Sequence, residues 1–488
     1  MGQPDEFNSA LQRYQPYLST EQFASLMRES QRIAPSAVRL NLLLAQTSSD
    51  QRLNYLSQKY GWSTKTLPFS EDSRQILDAQ TSPSQTREFL LGQYYLQDAA
   101  SILPVSLFSP SKNRLLKLDM AASPGGKTTQ MVDQSLDRDF VIANDSAASR
   151  LPALRTVLQS WGAANYAITN FPGERWGDWY PQTFDQILLD APCSMESLRA
   201  SSSHPHRPIS TDERARLAGR QEALLVSAAK ALKIGGELVY STCTLAPEEN
   251  EAVVSSLLEA YPGAFHIDPA PARRYQAHGL VEFEGQNFNP DLAHALRIWP
   301  FHFQTNGFFA VKLIKDQEIS SDRSNPPERD FTATGLSVLS PQLEHELTAF
   351  IAETYGFDFA GHLEELGLCL MRRENTIHLL PVGYLSSFAS LPYNAIGLTV
   401  GRYIRDKFEA NVGFILRFGA EFSRNIWTIP EDLLDRWMKG YDIRGVEPAG
   451  FELGTAIAVR DSEGNNLGAA KYSSRRLRNL LPNRHISQ

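Results

Sequence analysis

The chain has 488 residues and a formal net charge of −8, with 42% hydrophobic and 21% charged residues. At ~100–200 residues per domain it is too long for one compact core, and its composition excludes a disordered chain, a collagen and a coiled coil. No stretch approaches the ~18 consecutive apolar residues of a bilayer span, so no membrane association is expected.

Residues 1–6 lack the basic and apolar regions of a secretory leader, and Glu6 fails the Ser/Thr requirement of a myristoylation signal. The first ~75 residues read as mixed helix and strand, with Leu18, Phe23, Leu26 and Met27 at helical spacing and an apolar segment at 38–44. Residues 83–108 read as a helical approach to a core.

From Leu115 the pattern turns regular. Strands are predicted at 115–119, 140–143, 166–169, 184–189 and 237–241. Helices are predicted from Lys127, over 151–161 with Gly162 as its stop, and from a capping box of Ser210 and Glu213 to Gly235-Gly236. This alternation predicts an α/β fold with a doubly wound, mostly parallel sheet, whose ligands bind beyond the carboxyl ends of the strands. Residues 316–330 are polar and proline-bearing and read as a linker. Beyond them, 412–418 and 455–459 read as alternating segments, with a turn at 462–465. The end carries Lys471, Arg475, Arg476, Arg478 and Arg484, with no acid after Glu463. This makes it a better candidate for contact with a polyanion than Arg199, Arg207, Arg214, Arg216 and Arg220, which are interleaved with Glu196, Asp212 and Glu213.

Four motifs carry chemistry, and all fall at predicted strand ends. The first runs from Asp119 to Thr129 and places Gly125 and Gly126 where a backbone meets a ligand closely. A Walker A loop needs a glycine where Ala121 stands, but the strand at 184–190 resembles a Walker B strand, so an NTPase stays as the lesser alternative. The second is Asp145, suited to ribose hydroxyls or to capping the next helix. The third and fourth are Asp190-Ala-Pro-Cys193 and Ser241-Thr-Cys243, two of only three cysteines; with no His or third Cys at ligand spacing, no metal site is expected. His204 and His206 read as solvent or substrate-loop residues, and Cys369 as a core residue. A reducing, cytoplasmic setting is the default for so few cysteines. Two thiols and an acid beside an adenosyl-type pocket suit methylation of a pyrimidine at carbon 5. There a thiolate adds at carbon 6, an acid stabilises the developing charge, and a second group helps remove the carbon 5 proton. The spacing leaves open which cysteine attacks.

The stretches "DMAASPGGKTTQ", "ANDSAASRLPALRTVLQSWGAANYAITN", "FDQILLDAPCS" and "GGELVYSTCTLAPEENEAVV" resemble the RNA 5-methylcytosine methyltransferases of the Sun family. "YYLQDAASILPV" and "ALRIWPFHFQTNGFFAVKL" extend the likeness to roughly residues 30–315. "SAVRLN" at 36–41 resembles the family's N-terminal RNA-binding module, and the C-terminal half is similar to the PUA-like extension of the RsmF-like bacterial ribosomal RNA enzymes. The resemblance implies an N-terminal RNA-binding module at 1–80, a Rossmann-like methyltransferase core at 81–315, the linker at 316–330, a connecting α/β module at 331–394 and a PUA-like β-rich RNA-binding domain at 395–488. It implies S-adenosyl-L-methionine as methyl donor, held by Ala121, Ala122, Ser123, Pro124, Gly125, Gly126 and Lys127, with Asp145 on the ribose and Asp190 contacting both donor and cytosine. It implies Cys243 as nucleophile, Cys193 as the residue that resolves the adduct, and RNA as partner, ribosomal RNA or a ribosomal subunit first and transfer RNA second. Two positions depart from the family's pattern: Pro172 where an Asp usually binds the adenine, with Asn170 or a backbone carbonyl as the substitute, and Met195 where a Gly usually follows the Pro-Cys-Ser step.

Overall fold

The computed structural model describes residues 11–196, 209–405, 407–445 and 450–482. Arg199, His204, His206, Arg207 and Arg484 lie outside the described residues.

The central sheet runs Phe265–Ile267, Phe308–Lys315, Leu232–Thr242, Phe184–Asp190, Leu116–Asp119, Phe140–Asn144, Tyr166–Thr169, Ala395–Ile396. Its middle five strands are parallel, and the strands flanking them on both sides are antiparallel. The sheet is therefore mixed around a doubly wound parallel centre. The chain runs outward from Leu116–Asp119 through two strands, then crosses back to Phe184–Asp190. That reversal makes a crevice at the carboxyl ends of these two neighbouring strands.

The helix Leu151–Trp161 forms as its spacing predicts: Leu151, Leu154, Leu158 and Trp161 are buried on one face, and Gly162 ends it at φ 78°. Each such side chain contributes about 1.5–3 kcal/mol on burial. Ser210 caps the helix Thr211–Ala231 by accepting from the Glu213 amide. That helix stops four residues short of the expected glycines, because Leu232 already pairs with Phe184 and Gly235-Gly236 lie within the strand Leu232–Thr242.

The segment 83–108 departs from its helical reading, since Tyr94–Asp98 is a strand between short helical turns. It completes an antiparallel sheet ordered Trp62–Leu67, Ser70–Ala79, Ser36–Leu40, Tyr94–Asp98. Arg39 of this sheet is buried and donates to Asp133, to the Gly126 carbonyl at 3.0 Å and to Thr129 Oγ1 at 2.6 Å, with Trp161 beneath its guanidinium. Asn41 is buried too, donating to the carbonyls of Gly92 and Trp161. The polar residues of "SAVRLN" thus pin the small sheet to the core.

Residues 316–330 are irregular yet docked: Ile319 is buried, and Ser321, Ser324 and Arg329 bond to the carbonyls of Gly177, Asp178 and Ser390. Two further five-stranded sheets follow. The first pairs Thr376–Pro381 with Leu398–Ile404, across the division expected at residues 394 and 395. The second is built on Ala456–Arg460 and Asn466–Ser473. Residues 412–418, read as alternating, form the helix Val412–Phe418 instead. Asn411 caps it, Phe414, Ile415 and Phe418 share its buried face, and Arg417 donates to the Leu43 carbonyl at 2.9 Å. A short apolar run is compatible with either period until its neighbours are known.

Removing one member of a buried ion pair leaves the other charge uncompensated, at a cost of about 3–5 kcal/mol. Arg39→Met is expected to lower stability by about this amount, and Arg39→Met/Asp133→Leu to recover most of it. Amide hydrogen exchange in the helix Gly126–Asp133 measures both.

Candidate active site

Strand register brings the two thiols together. Phe184–Asp190 and Leu232–Thr242 run parallel with Asp190 opposite Ser241, so the loops that follow leave the sheet side by side. Cys193 Sγ lies 3.2 Å from Cys243 Sγ, and both residues are partly buried. Ser241 Oγ donates to Asp190 Oδ1 at 2.7 Å, and Lys127 Nζ to Asp190 Oδ2 at 2.8 Å. One carboxylate therefore joins the glycine turn to the cysteine loops. The hydrogen bond with Cys243, burial and the nearby Glu249 together raise the Cys193 thiol well above the usual range. Burial acts against the charge on Lys127, but Asp190 outweighs it and keeps the ammonium above its ordinary value.

Glu249 clamps the loop that carries Cys193. It is fully buried, accepts from the Ser194 amide at 2.9 Å and from Ser194 Oγ, and takes Gln221 Nε2 at 3.0 Å. Ser194 Oγ also lies 3.1 Å from Thr244 Oγ1, and Tyr240 donates to the Glu249 carbonyl at 2.6 Å. Behind it, the buried pair Arg297 and Glu251 holds the Leu245 carbonyl through Arg297 Nη1 at 2.8 Å. Both cysteine loops are thereby tied to one rigid base. Met195 takes φ 58°, the left-handed region that glycine enters at no steric cost. The backbone there keeps a glycine-like conformation although the residue is not glycine.

Beside this centre lies a cavity of about 260 Å³ lined by Ala121, Ala122, Ser123, Pro124, Gly126, Lys127 and Asp190. Its far wall comes from the small sheet: Tyr95, Leu96, Gln97 and Ser101. A Cβ on Gly126 would stand 2.7 Å from the Tyr95 ring, so only glycine fits where the wall meets the turn. Gly125, at φ 112°, does not line the cavity; it lets the turn pack against Leu154 and Val157. Asp145 does not line it either. Its carboxylate accepts from the amides of Ser123 at 3.2 Å and Ala147 at 2.9 Å, so it braces the turn. Asn170 donates to the Asp145 carbonyl at 2.6 Å, and neither Asn170 nor Pro172 reaches the cavity lining.

Asp119, Gln97 and Glu249 were not singled out in the sequence as site residues. Asp119 is buried at the strand end, with Oδ2 taking Thr128 Oγ1 at 2.7 Å and Oδ1 left without a partner. Gln97 Nε2 is likewise unpartnered. One buried acceptor and one buried donor on a single cavity suit the ammonium and carboxylate of an amino-acid moiety, so the residues present fit the expected donor. Burial, with Asp190 close by, pushes the Asp119 carboxyl up to about 7. Cys369 stands apart on the strand Leu368–Arg373, its thiol pushed up to about 11 by burial. Among the described residues no group of three His, Cys, Asp or Glu side chains is placed to hold a metal ion, and no helix is long and apolar enough to cross a membrane.

Residues 105–314 match the family model described as 16S rRNA methyltransferase RsmB/F. The chain is 30% identical to ribosomal RNA small subunit methyltransferase F of Aeromonas salmonicida (strain A449), over 98% of this chain and 96% of that protein. It is 29% identical to the protein of that name from Escherichia coli O157:H7 (strain EC4115 / EHEC), over 98% and 95%. Among solved structures, a methyltransferase homolog protein from Pyrococcus horikoshii superposes with a TM-score of 0.54 at 29% identity, covering 65% of this chain and 96% of that one.

If Glu249 sets the thiol spacing, mild oxidation should join Cys193 to Cys243 readily in the unaltered protein and about tenfold more slowly in Glu249→Ala, as the effective concentration of the pair falls. Mass spectrometry of the linked peptides gives the rate.

Proposed function

Because this chain belongs to the 16S rRNA methyltransferase RsmB/F family, we propose that it methylates carbon 5 of a cytosine in ribosomal RNA through a covalent bond to Cys243. The coarser activity, transfer of a methyl group from S-adenosylmethionine to ribosomal RNA, is that of the family. The observation that carries the finer reading is the pair of thiols 3.2 Å apart, beside a carboxylate bonded to the lysine of the glycine turn.

When bound, S-adenosylmethionine supplies an electrophilic methyl group. Asp119 and Gln97 offer the polar partners for its amino-acid end, and the turn from Ala121 to Lys127 gives the backbone wall. On the RNA side, the family resemblance assigns the attack to Cys243, whose thiol proton passes through the Asp190 carboxylate to ring nitrogen 3. Cys243 Sγ forms a bond to carbon 6, and the electron pair of the 5,6 double bond makes carbon 5 nucleophilic. Asp190, fixed by Lys127 and Ser241, stands to stabilise the charge that develops on the ring. Once carbon 5 carries the methyl group, its proton leaves and the carbon 6–sulfur bond breaks, returning the pair of electrons to Cys243. Cys193, 3.2 Å from Cys243, is assigned to that elimination, its thiolate or a water taking the carbon 5 proton. A cytosine within a duplex is out of reach of a thiol, so the target is unpaired or flipped out.

Labelled S-adenosylmethionine and RNA from a strain lacking the gene test the reading. Wild type should yield 5-methylcytosine in ribosomal RNA, Cys243→Ala none, and Cys193→Ala a protein–RNA adduct that persists in denaturant. Label in transfer RNA alone, or methylation surviving Cys243→Ala, would overturn it.

Asp119 adds a pH signature. Its folded-state carboxyl titrates at about 7, against about 3.9 unfolded. The folded state therefore binds the extra proton between these values, and stability falls as pH rises across that window. The charge that appears above about 7 is the one that accepts an ammonium. Calorimetry with S-adenosylhomocysteine should show tighter binding at about pH 8 than at about pH 6. In Asp119→Asn that slope should flatten.

A further inference from the structure

A second cavity, of about 540 Å³, lies where the helix Leu151–Trp161 and the strand Tyr166–Thr169 of the core meet the sheet containing Thr376–Pro381 and Leu398–Ile404. It is twice the size of the cavity beside the glycine turn and shares no lining residue with it. In a chain of net charge −8, its lining carries two guanidinium groups, Arg155 and Arg373, and no carboxylate among the described residues.

The polar groups there are incompletely used. Arg155 donates to the Asn394 carbonyl at 3.0 Å and to Asn394 Oδ1, but its buried Nε has no partner among the described residues. His378 bonds through Nδ1 to Thr399 Oγ1 at 3.3 Å, while its Nε2 is buried and unpartnered. Burial and the neighbouring Arg373 hold His378 at about 4, so its imidazole is neutral at physiological pH. Arg373 itself is exposed at the rim. Buried polar groups left unbonded cost about 1–3 kcal/mol each unless a ligand or water completes them. Uncompensated guanidinium groups are the side chains best matched to phosphate oxygens. The side-chain amide of Asn394, on the same lining, carries the kind of donor that a base or ribose would use.

From this arrangement we propose that the cavity binds a phosphorylated nucleotide, its phosphate on Arg155 and Arg373 and its polar face on His378 and Asn394. The source is either a nucleotide of the RNA substrate or a free mononucleotide; the chemistry recognised is the same. The site is separated from the thiols and needs no step of the methyl transfer.

Equilibrium dialysis with labelled adenosine 5′-monophosphate, inorganic phosphate as competitor, and a short single-stranded RNA carrying 4-thiouridine tests it on the full chain. Arg373→Glu should weaken the bound ligand by about tenfold or more, and Arg373→Lys should retain most of the binding. S-adenosylhomocysteine binding, unchanged in both variants, verifies the fold independently of the second site. Mononucleotide binding that phosphate displaces and Arg373→Glu weakens supports the site with a free nucleotide as source. Weakening of RNA binding alone, with the photocrosslink on residues 393–399, supports it with RNA as source. Unweakened binding of both probes in Arg373→Glu, or no binding of either by wild type, overturns it.

Discussion

The site depends on one register: Phe184–Asp190 beside Leu232–Thr242, parallel, with Asp190 opposite Ser241. In a parallel pair a slip of one residue turns each side chain to the other face. Here that slip would separate Asp190 Oδ1 from Ser241 Oγ and carry the two thiols apart. The register runs from Gln186 opposite Glu237 to Asp190 opposite Ser241, after an irregularity that separates it from the pairing of Phe184 with Leu232. At the finish, Glu249 binds Ser194 while Tyr240 binds the Glu249 carbonyl. The chemistry at the strand ends thus rests on the register of 186–190 against 237–241 and on the loops that follow.

Buried charge does the same work between layers. Arg39 reaches from the small sheet to Asp133 and to the carbonyl of Gly126, so the wall of the cavity and its glycine turn move together. Arg417 reaches from the C-terminal helix Val412–Phe418 to the Leu43 carbonyl of the N-terminal region. Such contacts contribute little net free energy, since desolvation offsets much of the attraction. What they provide is geometry: a guanidinium with several fixed donors accepts few alternative arrangements.

The parallel centre was legible because its strands are short apolar runs punctuated by glycine turns and amphipathic helices, a pattern set by local residues. The thiol pair was legible for the same reason, since each cysteine follows such a strand. Asp119, Gln97 and Glu249 were not. Glu249 stands among Glu248, Asn250 and Glu251, and its partner Ser194 lies 55 residues earlier, while Gln97 belongs to none of the four motifs and Asp119 only opens the one read as a glycine turn. Val412–Phe418 was misread because seven apolar-rich residues carry no decisive period. Asp145, assigned to the ribose, accepts in the structure from the amides of Ser123 and Ala147, and a carboxylate so held keeps further acceptor capacity.

The C-terminal charges show how far a local reading of electrostatics extends. Along the chain, the arginines after Glu463 have no acid beside them. In the fold, Lys471 lies 2.6 Å from Glu409, and Arg476 pairs with Asp442, both acids coming from earlier strands and loops. That cluster is therefore partly neutralised, which weakens the case for it as a free cationic surface. The balance runs the other way at the junction of the core and the third sheet. Arg155 and Arg373 are separated by more than two hundred residues, and neither belongs to a basic run. Folding places both on one cavity with no acid in its lining among the described residues. Because attraction between charges depends on their distance through space and on the dielectric between them, it is this second arrangement that leaves positive potential unspent.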